Sequence, residues 1–116
     1  TSASSNLLAA TKASLDDDKA QDVVVINLAG KTSFADYMVI ATGTSQRQVV
    51  TMAQHLQQNL KAEGLSEVPL EGVNQGDWVL IDGGDIVVHL FRSEIREFYD
   101  LEKIWGAAMP QPDQVA

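Results

Sequence analysis

The sequence predicts an α/β domain: a mixed sheet of about five strands with helices on both faces, a three-layer sandwich. Three observations point there. Two apolar runs, Asp22–Leu28 and Asp36–Thr42, have the near-continuous apolar character of buried strands. Between Ser45 and Gly64 the period changes from two to about 3.6, with Val49, Met52, Ala53, Leu56 and Leu60 forming one stripe. After Trp78, two further apolar runs meet at Gly83-Gly84.

Taken in order, Ser4 or Ser5 can cap a helix running to about Lys19, with Leu7, Leu8, Thr11 and Leu15 on one face. Asp16, Asp17 and Asp18 are unfavourable at a helix C-terminus, where the backbone dipole is negative, so the helix is expected to end there. The Val23-Val24-Val25-Ile26 stretch is expected to be a central strand covered on both faces. Ala29-Gly30-Lys31-Thr32-Ser33 is expected to be a turn. Ser45 and Gln48 have capping-box spacing, and Gly64 suits the stop of that helix. Pro69 marks a sheet edge, because it lacks an N–H for the ladder. Trp78–Asp82 and Asp85–Phe91 are expected to form a hairpin around a two-residue Gly83-Gly84 turn. Ser93 caps a last short helix to about Tyr99, and Leu101 to Trp105 adds a further turn. Residues 1–109 are read as one domain, and the tail 110–116, with Pro110 and Pro112, as disordered.

Bulk composition narrows the function. The chain has 116 residues, 45% of them hydrophobic, which is enough to build a core without a staple. It has no cysteine, which removes thiolate nucleophiles, thiolate metal sites and disulfides. A reducing, cytoplasmic setting fits. No apolar run reaches the roughly 18 residues of a membrane span, and the first residues show no signal-peptide pattern. The net charge of −8 is concentrated: between Glu63 and Glu102 there are ten acids and two bases, whereas the other residues balance. Such a surface repels phosphate backbones and speeds encounter with a basic protein.

No catalytic constellation emerges. Gly43-Thr44-Ser45 joins a strand to a helix N-terminus, a place that can bind phosphate, yet neither a P-loop nor a GxGxxG pattern is present. A capped helix start is the preferred reading there. Asp82 and Asp85 flank the glycines as turn residues do, and Asp85 and His89 are about 13 Å apart along a strand, too far to share a metal. His89 reads as a packed histidine and His55 as an exposed one. No cofactor or metal is expected. The remaining group is apolar and acidic: Asp77, Trp78, Tyr99, Asp100, Leu101, Glu102 and Trp105. Trp78 and Trp105 are expected to be partly exposed anchors, as at interface hot spots, and Asp77, Asp100 and Glu102 to meet Lys or Arg on a partner.

The chain resembles the ribosomal silencing factor family, RsfS/Iojap, also called DUF143. The resemblance is carried from about Leu7 to Trp105 by Asp36-Tyr37-Met38-Val39-Ile40-Ala41-Thr42-Gly43-Thr44-Ser45 with Arg47, by Glu71-Gly72 and by Trp78-Val79-Leu80-Ile81-Asp82. It continues with Gly84-Asp85-Ile86-Val87-Val88-His89 and Phe98-Tyr99-Asp100-Leu101-Glu102-Lys103-Ile104-Trp105. Members usually carry His after the helix-opening arginine; here the residue is Gln48. The resemblance implies a nucleotidyltransferase-like fold without that superfamily's catalytic carboxylates, and this sequence has no Asp-x-Asp strand after Gly43-Thr44-Ser45. It further implies a non-enzymatic protein that binds large-subunit ribosomal protein fourteen and blocks joining of the small subunit. Organellar relatives act in large-subunit assembly, which is one alternative function for this chain; a degenerate nucleotidyltransferase-like protein binding a nucleotide at Gly43-Thr44-Ser45 is the other. Direct nucleic-acid contact is expected to be small, and a homodimer is a further possibility.

Overall fold

A computed structural model describes residues 2–29 and 35–95, with side chains from residue 5 onward. Helix α1 (Ser2–Asp17) leads to strand β1 (Gln21–Asn27), then β2 (Tyr37–Gly43), helix α2 (Gln46–Ala62), the two-residue β3 (Leu70–Glu71), β4 (Trp78–Asp82) and β5 (Ile86–Arg92). The sheet order is β1-β2-β5-β4-β3. Only β2 and β5 run parallel; every other neighbouring pair is antiparallel. This is a mixed, open, five-stranded α/β fold.

Period-two alternation divides the core into two clusters. Val39, Ala41, Val79, Ile81, Ile86, Val88 and Leu90 face the helices, packing with Leu7 and Leu15 of α1 and the predicted stripe of α2. Met38, Ile40, Trp78 and Phe91 face the other way and join Leu28 and Ala35 in a second cluster. Both long helices therefore lie on one face. On the other, Ile95, in a helical stretch at 93–95, packs against the second cluster. Helical cover on that face rests on these three residues among those described. The strands buried on both faces are β2, β5 and, from Trp78 to Ile81, β4, so each reads as an almost unbroken apolar run.

Strand β1 departs from expectation. Among the described residues it is an edge strand bonded only to β2, and Val23 and Val25 are 40% and 38% exposed. Asp22 takes a left-handed conformation with φ 50°, and the register with β2 shifts between Gln21 and Val24, the signature of a bulge. A β-branched run reports preference for a pleated backbone, not position in the sheet. The helices cover β2, β5 and β4 and leave the edge open.

The hairpin is also offset. Gly83 N–H donates to the Ile86 carbonyl at 2.8 Å, so the central turn residues are Gly84 and Asp85, not Gly83 and Gly84. Gly84 has φ +80° and Asp85 does not have positive φ, the φ pattern of a type II′ turn with glycine first. Asp82 Oδ1 accepts from Gly84 N–H at 2.9 Å, the turn role expected of that aspartate. The Asp85 carbonyl accepts from both Asp36 and Tyr37, stitching the turn to the start of β2. β3 is the opposite sheet edge, next to Pro69 as expected. No helix among the described residues is long and apolar enough to cross a membrane.

Candidate functional site

The described part of the candidate site is the corner where β4 begins, β5 ends and α2 starts. Gly76 makes the close approach possible. It has φ +73°, and a Cβ there would sit 3.1 Å from Gln46 Cβ and 3.2 Å from Val50 Cγ2. The next residue, Asp77, therefore lies against the first turn of α2. Its Oδ1 accepts from Gln46 Nε2 at 2.9 Å and from Arg92 Nε at 2.7 Å, and its carbonyl accepts from Arg92 N–H at 3.0 Å. Arg92 also reaches Glu94 at 3.3 Å. The Gln46 hydrogen bond, followed by the Arg92 bond and charge, holds the Asp77 carboxyl below the ordinary aspartate range against a partial desolvation that opposes them. Asp77 was expected to reach a partner's base; in the structure it already holds a base of its own chain.

Trp78 is corrected more sharply. It is 5% exposed, not a partly exposed anchor. Its indole stacks on Phe91, its cross-strand partner, with ring centroids 5.0 Å apart. Its Nε1–H donates to His89 Nδ1 at 2.9 Å, in a buried contact between the two residues. The reason is strand alternation: with Trp78 opposite Phe91, the ring points to the second cluster, where Met38 and Ile40 also lie. His89 is 1% exposed, a packed histidine as read from the sequence. Because Nδ1 accepts, a neutral ring carries its proton on Nε2. Burial lowers its pKa to about 4, and accepting from Trp78 favours the same neutral form.

The strand-to-helix junction is occupied by its own caps. Ser45 Oγ accepts from Gln48 N–H at 3.1 Å, while Gln48 Oε1 accepts from Thr44 N–H and Thr44 Oγ1 at 2.6 and 2.8 Å. The reciprocal bond thus reaches Thr44, one residue before the expected capping-box partner. Gln48 also donates to the Asp18 carbonyl, tying α1's exit to α2's start. His55 is half exposed and pairs with Asp18 at 2.9 Å. Among the described residues, no three His, Cys, Asp or Glu side chains gather as metal ligands would. Glu63, Glu67, Glu71, Asp82, Asp85 and Glu94 are all exposed, so the acidic bias is presented to solvent.

Tyr99, Asp100, Leu101, Glu102 and Trp105, together with the expected tail 110–116, lie outside the described residues. Of the candidate group, the structure places Asp77 and Trp78 side by side at one corner, with their side chains in different settings. Sequence reasoning missed Gln46 and Arg92 as partners of Asp77. The available signal was hairpin register: a turn centred on Gly84-Asp85 pairs Trp78 with Phe91 and brings Asp77 beside Arg92.

A family model described as "Ribosomal silencing factor during starvation" matches residues 1–116. A Zymomonas mobilis protein named ribosomal silencing factor RsfS is 56% identical over 93 residues, spanning 80% of this chain and 70% of the relative. A mouse protein named "Mitochondrial assembly of ribosomal large subunit protein 1" is 37% identical over 94 residues, spanning 78% of this chain and 41% of the relative. A crystal structure of a Chromobacterium violaceum protein superposes with a TM-score of 0.84 at 35% identity, covering 93% of this chain and 90% of the other. With a family model matched from end to end and the fold shared with a solved structure, this chain belongs to the RsfS family of ribosomal silencing factors.

Proposed function

We propose that this protein is a translation repressor without catalytic chemistry, acting in the cytoplasm. It binds the large ribosomal subunit through ribosomal protein fourteen and blocks small-subunit joining by occupying the joining face. The observation that carries the reading is the family match over residues 1–116. The charge distribution supports it: exposed carboxylates of the second half suit a basic ribosomal protein and disfavour direct rRNA contact. Tyr99, Leu101 and Trp105 serve as apolar anchors, and Asp100 and Glu102 as acidic contacts. Asp77 and Trp78 lie at the corner of the sheet where β5, the strand preceding this segment in sequence, ends.

Sedimentation with purified subunits tests the reading: the chain is expected to travel with the large subunit and not with the small one. Trp105→Ala is expected to weaken that binding by about 30-fold, the equivalent of about 2 kcal/mol for a hot-spot aromatic, with the melting temperature unchanged. Loss of folding in that variant would make Trp105 a core residue instead. A second reading, a factor for large-subunit assembly, is favoured by the name of the mouse relative. It uses the same docking surface, and accumulation of precursor particles on depletion would distinguish it.

A further inference from the structure

We infer that Asp77 is a positioning residue for ribosome docking: it fixes Arg92 and the chain leaving β5, and does not itself pair with a base on the partner. The inference rests on the docking function proposed above. Three bonds meet at this residue. Its carbonyl holds the Arg92 backbone, and one carboxylate oxygen, Oδ1, receives both Arg92 Nε and Gln46 Nε2. Asp77 thereby joins the start of β4, the end of β5 and the first turn of α2. Arg92 is the last residue of β5, and the chain turns helical at 93–95 immediately after it. Arg92 also carries the contact to Glu94 within that stretch. The end of β5 and the helical stretch at 93–95 that follows it are therefore held at a point Asp77 controls from two sides.

The chemistry argues against a direct role. The Asp77–Arg92 pair is partly shielded, with the two side chains 35% and 29% exposed, and has charge-assisted geometry at 2.7 Å. A partner's lysine or arginine would compete at Oδ1 with a guanidinium and an amide already bonded there, and at Oδ2 would meet a carboxylate whose charge Arg92 already offsets. Removing the side chain would take away the acceptor that Arg92 Nε and Gln46 Nε2 share, while the Arg92 contact to Glu94 stays in place. The geometry at the end of β5 changes with that loss even where Asp77 never touches a partner.

Two kinds of variant separate positioning from contact, read by sedimentation with purified large subunits and by melting temperature. Asp77→Asn keeps a carbonyl oxygen able to accept from Gln46 and Arg92 but has no charge. Positioning requires its binding to stay within about 3-fold of the parent, and Asp77→Ala to lose about 10-fold or more. Equal losses for Asn and Ala would overturn the inference, because a contact with a partner base depends on the charge. The charge exchange Asp77→Arg with Arg92→Asp gives a second test: recovery in the double variant relative to either single one supports positioning. Failure to recover, in a double variant that melts as the parent does, contradicts it. If the parent chain does not sediment with large subunits, the docking function falls, and this role falls with it. That outcome is distinct from a parent that binds and an Asn variant that does not.

Discussion

Replacing Trp78 with alanine is expected to lower the unfolding free energy by about 3–5 kcal/mol, the range for truncating a large core aromatic. The indole is 5% exposed and packed in the second cluster between Phe91 and His89. Its removal loses apolar burial, opens a cavity between β4 and β5, and strips the donor from His89 Nδ1. Trp78→Phe separates these contributions. The ring remains, but His89 Nδ1 loses its partner, a cost of about 1–3 kcal/mol for a buried unsatisfied group. Urea denaturation followed by circular dichroism measures both. An alanine variant as stable as the parent would remove Trp78 from the core and restore the exposed anchor expected from sequence.

The second large effect is acid destabilisation through His89. Folded His89 takes a proton only near pH 4, because burial disfavours the charged ring; in the unfolded chain the same ring takes one near 6.5. Between those values the unfolded state binds more protons, so stability rises with pH across the window. The contribution is fully present above pH 6.5 and is lost progressively as pH falls toward 4. It amounts to about 3 kcal/mol over that interval. Protonation would also abolish the Nδ1 acceptor and turn two N–H groups toward one another at Trp78. The comparison is His89→Gln, whose side-chain oxygen can accept from the indole but does not titrate. The parent should lose about 3 kcal/mol relative to that variant between pH 6.5 and 4. Parallel stability curves would place the buried proton equilibrium elsewhere.

Most elements were legible because the local signal and the tertiary role agree. The α2 stripe Val49, Met52, Ala53, Leu56 and Leu60 is buried in full, and Ser45 caps its start. The apolar run Tyr37–Thr42 is buried on both faces. Legibility fails where one local pattern serves two architectures. The valines of β1 satisfy the backbone equally well at an edge, and only the reach of α1 and α2 across the sheet decides their exposure. At the hairpin, both Gly83-Gly84 and Gly84-Asp85 are acceptable turn centres by composition. The difference moves the pairing by two residues: Gly83-Gly84 would set Asp77 opposite Leu90, whereas the observed register puts it beside Arg92. The same ambiguity hid the stacking of Trp78 on Phe91. A tryptophan after Asn74-Gln75-Gly76-Asp77 looks exposed beside its polar neighbours, whereas strand alternation puts its ring in the second cluster in either register. For the candidate site, charge and aromatic content singled out Asp77 and Trp78, but not the engagement of Asp77 within its own chain or the burial of Trp78.

Under the proposed function, this protein prevents joining of ribosomal subunits by occupying the large one. The most direct measurement of this is formation of joined ribosomes from purified subunits on a sucrose gradient, with the chain added first to the large subunit or first to the small one. The expected result is a dose-dependent loss of joined particles, with the chain co-migrating with free large subunits and a stronger effect when it meets them first. Undiminished joining at concentrations that saturate large-subunit binding would contradict the account and leave the assembly role as the use of this surface.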